Sequence, residues 1–111
     1  MDDRRLTVGA HAIDEEHDSG LPAVRLTAHG EVDAASSSVL ADAFETVLAN
    51  GASVVVLDAA EVHFIDSSGL RVIVAAGNRL SENGGQLFIE GMSGAVQKVL
   101  EISGLIERYR R

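Results

Sequence analysis

A chain of 111 residues has room for one compact core and excludes a second, and with a 46% hydrophobic share but only four aromatic residues, its filling falls to Val, Leu, Ile and Ala. No cysteine is present, which excludes disulfides and thiolate metal sites and suits a reducing compartment, and no apolar run reaches the roughly 18 residues of a membrane span, so a soluble, unprocessed, cytoplasmic protein is expected. A formal charge of −8 opposes binding to nucleic acid through phosphates.

Leu6 to Ile13 alternates loosely and predicts a first strand. The charged turn Asp14 to Gly20 and the alternating stretch Ala23 to Ala28 complete a hairpin, with Pro22 at the strand entrance, where its missing N–H does least harm. Gly30-Glu31-Val32-Asp33 closes the second strand, and Asp33 is expected to N-cap a helix running through Leu40, Phe44, Val47 and Leu48 to Asn50-Gly51. Ser36, Ser37 and Ser38 fall in its first turns and read as structural, because short polar side chains compete for backbone groups there. Val54 to Leu57 is a β-branched run of interior-strand length ending at Asp58, and Ala59-Ala60-Glu61-Val62-His63 reads as a short connection covering the sheet end.

Leu70, Ile73, Val74, Gly77 and Leu80 recur at helical spacing, with Arg71, Asn78, Arg79 and Glu82 on other faces, which predicts a helix from about Ser67. Asp66 or Ser67 is its N-cap, and Gly69 leaves the first turn unobstructed by a side chain. The helix stops at Asn83-Gly84-Gly85, and Gln86 to Glu90 is another strand. Ser93 caps a third helix with Val96, Val99 and Leu100 as its buried stripe, and Ser103-Gly104 ends it. Leu105 to Tyr109 is expected to form a final short strand, with Arg110-Arg111 frayed.

Strands alternating with helices after an initial hairpin predict an α/β fold in a single domain, 1–111. Its sheet is mixed at the edge and mostly parallel inside, and helices pack against it. In such sheets the loops at the carboxyl ends of strands carry the sites, and the Asp33 turn and the Asp66–Ser67 turn are both of that kind. Residues 1–66 hold thirteen Asp/Glu and three Arg, a balance of −10, whereas residues 67–111 hold four Glu and six Lys/Arg, a balance of +2. An acidic half gathered around Asp66 suits a basic protein partner, and it also suits plain solubility.

Catalytic readings fit poorly. A nucleophile elbow around Ser67 would need glycine at the position of Ile65, and a phosphate-binding loop would need two glycines and a lysine that Asp66 to Arg71 lacks. An aspartyl-phosphate receiver built on Asp58 would need a lysine on a late strand, but Lys98, the one lysine, falls in a predicted helix. His11, His17, His29 and His63 show no three- or four-residue pairing of the kind a zinc helix needs, and they read as surface or loop histidines, so no metal ligand is expected. A binding switch asks for less: one accessible hydroxyl at a helix N-terminus, where phosphorylation adds about −1.5 to −2 charges that the helix end tolerates and a docked partner does not.

Read together, the motifs resemble the STAS-domain anti-sigma factor antagonists of bacteria over nearly the whole chain. Phe64-Ile65-Asp66-Ser67-Ser68-Gly69-Leu70 is similar to that family's Asp-Ser-Ser/Thr-Gly-Leu site, Gly30-Glu31-Val32-Asp33 to its Gly-Glu-Leu-Asp turn, and Ile102-Ser103-Gly104-Leu105 to its C-terminal Ser-Gly-Leu. The resemblance implies a STAS-like sheet, phosphorylation at Ser67, and a partner face formed by Glu31, Asp33, Asp66, Ser67, Ser68 and Gly69. It implies that the unphosphorylated protein binds an anti-sigma factor that is also a serine kinase and so releases a sigma factor. The kinase phosphorylates Ser67, the complex dissociates, and a serine phosphatase restores the hydroxyl. The protein is then ligand and substrate, with no catalysis or cofactor of its own. A constitutive STAS adaptor in a lipid-transport or stress-signalling complex is the alternative. Two departures stand out: many family members continue beyond the last strand into another helix whereas this chain stops at Arg111, and the N-terminal part carries the acidic insertion Asp14 to Asp18, which has no functional account.

Overall fold

A computed structural model describes residues 5–13 and 22–110, and the acidic segment Asp14 to Asp18 and Arg111 lie outside them. The elements are β1 (Thr7–Ile13), β2 (Ala23–Val32), α1 (Ser37–Ala49), β3 (Val54–Ile65), α2 (Ser67–Glu82), β4 (Gln86–Glu90), α3 (Gly94–Ile102) and the single-turn α4 (Ile106–Tyr109). They build one sheet of order β1-β2-β3-β4, antiparallel between β1 and β2 and parallel between the later neighbours. The expected mixed α/β sheet with its N-terminal hairpin is therefore observed.

One face of this sheet is the core. Alternate residues Leu26 and Ala28 of β2 and Val55, Leu57 and Ala59 of β3 join Leu40, Phe44 and Val47 of α1 and Ile73, Ala76 and Leu80 of α2 in a single buried cluster. The period-2 rows of the strands meet the period-3.6 stripes of the helices, which is why both patterns are visible in the sequence. Burying each of the Val, Leu, Ile and Phe side chains among them contributes about 1.5–3 kcal/mol. No helix among the described residues is long and apolar enough to cross a membrane.

Three expectations need correction. The strand predicted to end at Asp58 continues to Ile65, so Ala59 to His63 is strand and not connection. Between Thr27 and His29 of β2, β3 advances from Asp58 to Glu61, and between Gly30 and Glu31 it advances from Val62 to Phe64. Each step inserts one extra residue, a β-bulge, so the buried positions fall at Ala59, Val62 and Ile65 and the two-residue alternation is lost. Asp58 Oδ1 braces the first bulge by accepting from the Ala60 N–H at 3.1 Å. Beyond Asp58, β4 has ended, and the start of α3 takes over this edge of β3. There the Ser93 N–H donates to the Ala59 carbonyl at 3.2 Å and the Ser93 hydroxyl donates to that of Val62. The same Ser93 oxygen accepts from the Val96 N–H at 3.2 Å, so the predicted cap also ties α3 to the sheet.

The second correction concerns Asp33, which does not cap α1. It caps a separate turn over residues 34–36, and α1 begins only at Ser37. The third concerns the C-terminal segment. Leu105 to Tyr109 adds no strand, because the chain turns back over α2, where Tyr109 is buried against Gly77. A Cβ on Gly77 would stand 2.9 Å from Tyr109 Cε1, so the glycine makes the seat for this ring.

The opposite face of the sheet carries the other strand parity. Arg25 of β2 reaches across β3 to Glu90 of β4 at 3.1 Å, and Val54 and Val56 are buried on the face it crosses. Long side chains of this kind shield apolar strand positions with their stems while keeping their charges wet.

Candidate partner-binding site

The last paired residues of β2 and β3 are Val32 and Ile65, and Asp33 and Asp66 follow them directly. Paired parallel strands lie ~4.8 Å apart, so both acidic turns leave the sheet side by side. The Asp66 N–H donates to the Val32 carbonyl at 3.1 Å, extending the ladder into the turn itself. Sequence reasoning placed these turns on one surface, and the sheet brings them together.

Asp66 has extended backbone angles and its Oδ1 accepts from the Ser68 N–H at 2.9 Å, so it is the N-cap of α2. Ser67 is the first helical residue and is exposed, while Ser68 and Asp66 are half-buried. A 16-residue helix thus presents its positive end beside the Ser67 hydroxyl. Gly69 is buried beneath this surface. A Cβ there would lie 2.6 Å from Val32 Cγ1 and 2.8 Å from Ile65 Cγ1, so the missing side chain lets α2 start directly on the strand ends.

The neighbouring turn is built on Asp33. Its Oδ1 accepts from the N–H groups of Ala35 and Ser36, each at 3.0 Å, and the Ser36 hydroxyl lies 3.0 Å from it as well as 2.8 Å from the Glu31 carbonyl. The Ser36 side chain, then the backbone donors, hold the Asp33 carboxyl below its ordinary value of 3.8. Ser36 is structural, as its place in the serine run predicts. Gly30 has φ +121°, and a Cβ there would stand 2.5 Å from the Arg5 carbonyl oxygen, so this position lets the chain before β1 cross the start of the turn. Glu31 is half-buried, and it lines a shallow cavity of about 460 Å³ with Asp33, Ser36, Val39, Arg5 and Leu6.

Two apolar side chains near these turns were not foreseen at the surface. Phe64, register partner of Glu31, is 45% exposed because the second bulge adds it to the outer face, and Val39 at the start of α1 is 42% exposed. A helical wheel could have flagged Val39, whereas Phe64 depends on a bulge that the sequence does not announce. Among the described residues one group could hold a metal ion: His29, Glu61 and His63, all exposed. An i, i+2 reading of Glu61 and His63 as strand neighbours would have found two of the three, and His29 joins them only through the register of β2 on β3.

A family model described as Mlab, STAS domain, matches residues 17–107. Among solved structures, an anti-sigma factor antagonist from Mycobacterium paratuberculosis is 23% identical, with 91% of this chain and 83% of that one covered and a TM-score of 0.71. The anti-sigma factor antagonist SpoIIAA in its unphosphorylated form is 19% identical over 90% of this chain and 84% of its own, with a TM-score of 0.71. SpoIIAA, a Bacillus cell fate determinant, is also solved in its phosphorylated form. The murine Solute Carrier 26 family member A9 anion transporter is 16% identical over 96% of this chain but only 19% of its own, with a TM-score of 0.63. At these identities the likeness is one of fold. No curated protein matches the sequence.

Proposed function

The chain belongs to the STAS domain family, and from that premise we propose that it is an anti-sigma factor antagonist, switched by phosphorylation of Ser67. In this reading residues 1–111 form one STAS domain acting in the cytoplasm. Its unphosphorylated form docks an anti-sigma factor that is also a serine kinase, and a sigma factor is thereby released. Phosphorylation of Ser67 ends the complex, and a serine phosphatase renews it. The protein itself performs no catalysis.

The observation that carries the proposal is the exposure of Ser67 at the positive end of α2, beside the Asp33 turn. An attacking hydroxyl must be reachable, and this one is. A phosphoserine there would gain favourable interaction with the helix end, so the domain keeps its fold. A partner seated over Asp66, Ser68, Asp33 and Glu31 would instead meet about two new negative charges and their hydration. Gly69 contributes from below, by bringing the helix start to the level of the strand ends. Phe64 and Val39 add apolar area to the same end of the molecule.

Incubation with the cognate anti-sigma kinase and Mg-ATP, followed by mass spectrometry, tests the reading. Phosphate on Ser67 and loss of the complex are expected, and phosphate confined to Ser68 would overturn the assignment. The transporter's shared fold, which makes up 19% of that longer chain, supports a second reading, a constitutive STAS adaptor in a larger complex, with Ser67 only a helix residue. Affinity purification before and after phosphatase treatment separates the two, because an adaptor's partners would be indifferent to phosphate.

A further inference from the structure

We propose that His29, Glu61 and His63 form a binding site for a divalent transition-metal ion of the zinc type on the outer face of the sheet. The site is independent of the phosphorylation reading. It arises from strand register: His29 of β2 is paired with Glu61 of β3, and residues in register on neighbouring strands point to the same face. His63 is two residues beyond Glu61, so it returns to that face. The bulge between Asp58 and Glu61 is what selects this set. Without its extra residue, parity would turn Glu61 and His63 toward the core.

The distances suit an ion. One ligand atom from each of the three side chains lies within 4.8 Å of the others, and the two imidazole rings stand 6.0 Å apart at their centroids with planes at 84°. Ligand bonds of about 2.0–2.1 Å around a tetrahedral zinc ion put donor atoms roughly 3.3 Å apart and bound imidazole centroids about 5 Å apart. Small rotamer shifts of exposed side chains close that difference. Two neutral imidazoles and one carboxylate are borderline donors that favour Zn²⁺, Co²⁺, Ni²⁺ or Cu²⁺ over Mg²⁺ or Ca²⁺. Three protein ligands leave a fourth position for water or for a donor from another molecule. A formal charge of −8 on the chain further favours a cation.

The test is calorimetric titration of the full chain with Zn²⁺, together with histidine side-chain NMR of the same samples. One saturable equivalent is expected, with the His29 and His63 signals shifting together and those of His11 and His17 unmoved. His29→Ala and His63→Ala should each weaken binding by at least about tenfold, and Glu61→Gln should weaken it too, while His11→Ala leaves it unchanged. The three side chains are exposed, so circular dichroism of the metal-free variants should match the parent chain. A chain that shows no saturable binding would overturn the proposal. So would undiminished affinity in the His29→Ala, His63→Ala double variant, or comparable shifts at all four histidines. The wild-type NMR result decides the matter even if a variant folds poorly.

Discussion

The Asp66 N–H donates to the carbonyl oxygen of Val32 at 3.1 Å, so the last hydrogen bond between β2 and β3 is also the joint between two acidic turns. It ties the origin of α2 to the end of a strand whose next residue is Asp33. The spacing between the Asp33 turn and Ser67 is consequently set by the paired strands and not by two independent loops. A partner that reads both turns meets a preorganised face, which lowers the ordering cost of binding.

Substitution at Ser67 should separate docking from switching. Ser67→Ala removes one exposed hydroxyl, so anti-sigma binding is expected to stay near wild type while phosphate incorporation at this position is abolished. Ser67→Asp should bind about a hundredfold more weakly, the equivalent of roughly 3 kcal/mol of like-charge and steric conflict. Surface plasmon resonance against the kinase measures both. Equal affinities for the two variants would show that charge at this position does not govern docking.

Gly69→Ala sets helix propensity against packing. Alanine is favoured by ~1 kcal/mol in a helix, but its Cβ would sit 2.6 Å from Val32 Cγ1 and 2.8 Å from Ile65 Cγ1. Both neighbours are β-branched strand residues with restricted χ1 freedom, so the overlap must be relieved by moving α2. A net loss of about 1–2 kcal/mol is expected in urea unfolding, with weaker partner binding because the helix start is displaced. A gain in stability would mean that the helix lifts at no cost.

The ring of Tyr109 and its hydroxyl make opposite predictions. The side chain is buried and its hydroxyl has no hydrogen-bond partner among the described residues, and burial raises its pKa above the usual 10.0. Tyr109→Phe removes an unpaired polar atom and should leave stability unchanged or raise it by up to about 1 kcal/mol. Tyr109→Ala empties the seat over Gly77 and should cost about 3–5 kcal/mol. Thermal unfolding of both variants is the measurement, and a large loss in Tyr109→Phe would reveal a partner for the hydroxyl.

Asp33 predicts an acid limb. Its folded pKa is lowered from 3.8, so its carboxylate stabilises the turn fully above 3.8, and that contribution disappears as the pH falls through the lower folded value. Asp33→Asn keeps an acceptor oxygen of similar shape but removes the charge. The difference in unfolding midpoint between wild type and this variant should be constant near neutrality and close below pH 3.8. A difference that persists to the foot of the acid transition would place the effect elsewhere.

Much of this architecture could be read from neighbouring residues. The stripes of α1, α2 and α3, the caps Asp66 and Ser93, the helix stops at Asn50-Gly51 and Asn83-Gly84 and the short strand β4 are local features, in which each residue's role depends on others within about one turn or one pleat. The candidate site was legible for the same reason: Asp66 and Ser67 sit at a junction where a strand pattern gives way to a helical one. The end of the chain was not, since Leu105 to Tyr109 is too short for periodicity to separate strand from helical turn, and only the seat at Gly77 commits it to the turn.

From the sequence alone followed the α/β class, the order of its elements as far as α3, and a serine at the mouth of a helix, because periodicity and capping act along the chain. Only the tertiary structure decided that β3 runs on through two bulges, that Phe64 faces outward, that Gly69 touches Val32, and that His29 meets Glu61 and His63. A bulge is a mismatch between two strands, and a contact across a sheet joins residues more than thirty positions apart in the chain. Neither leaves a periodic trace in a single strand's sequence, so both become visible only when the partner strand is in place.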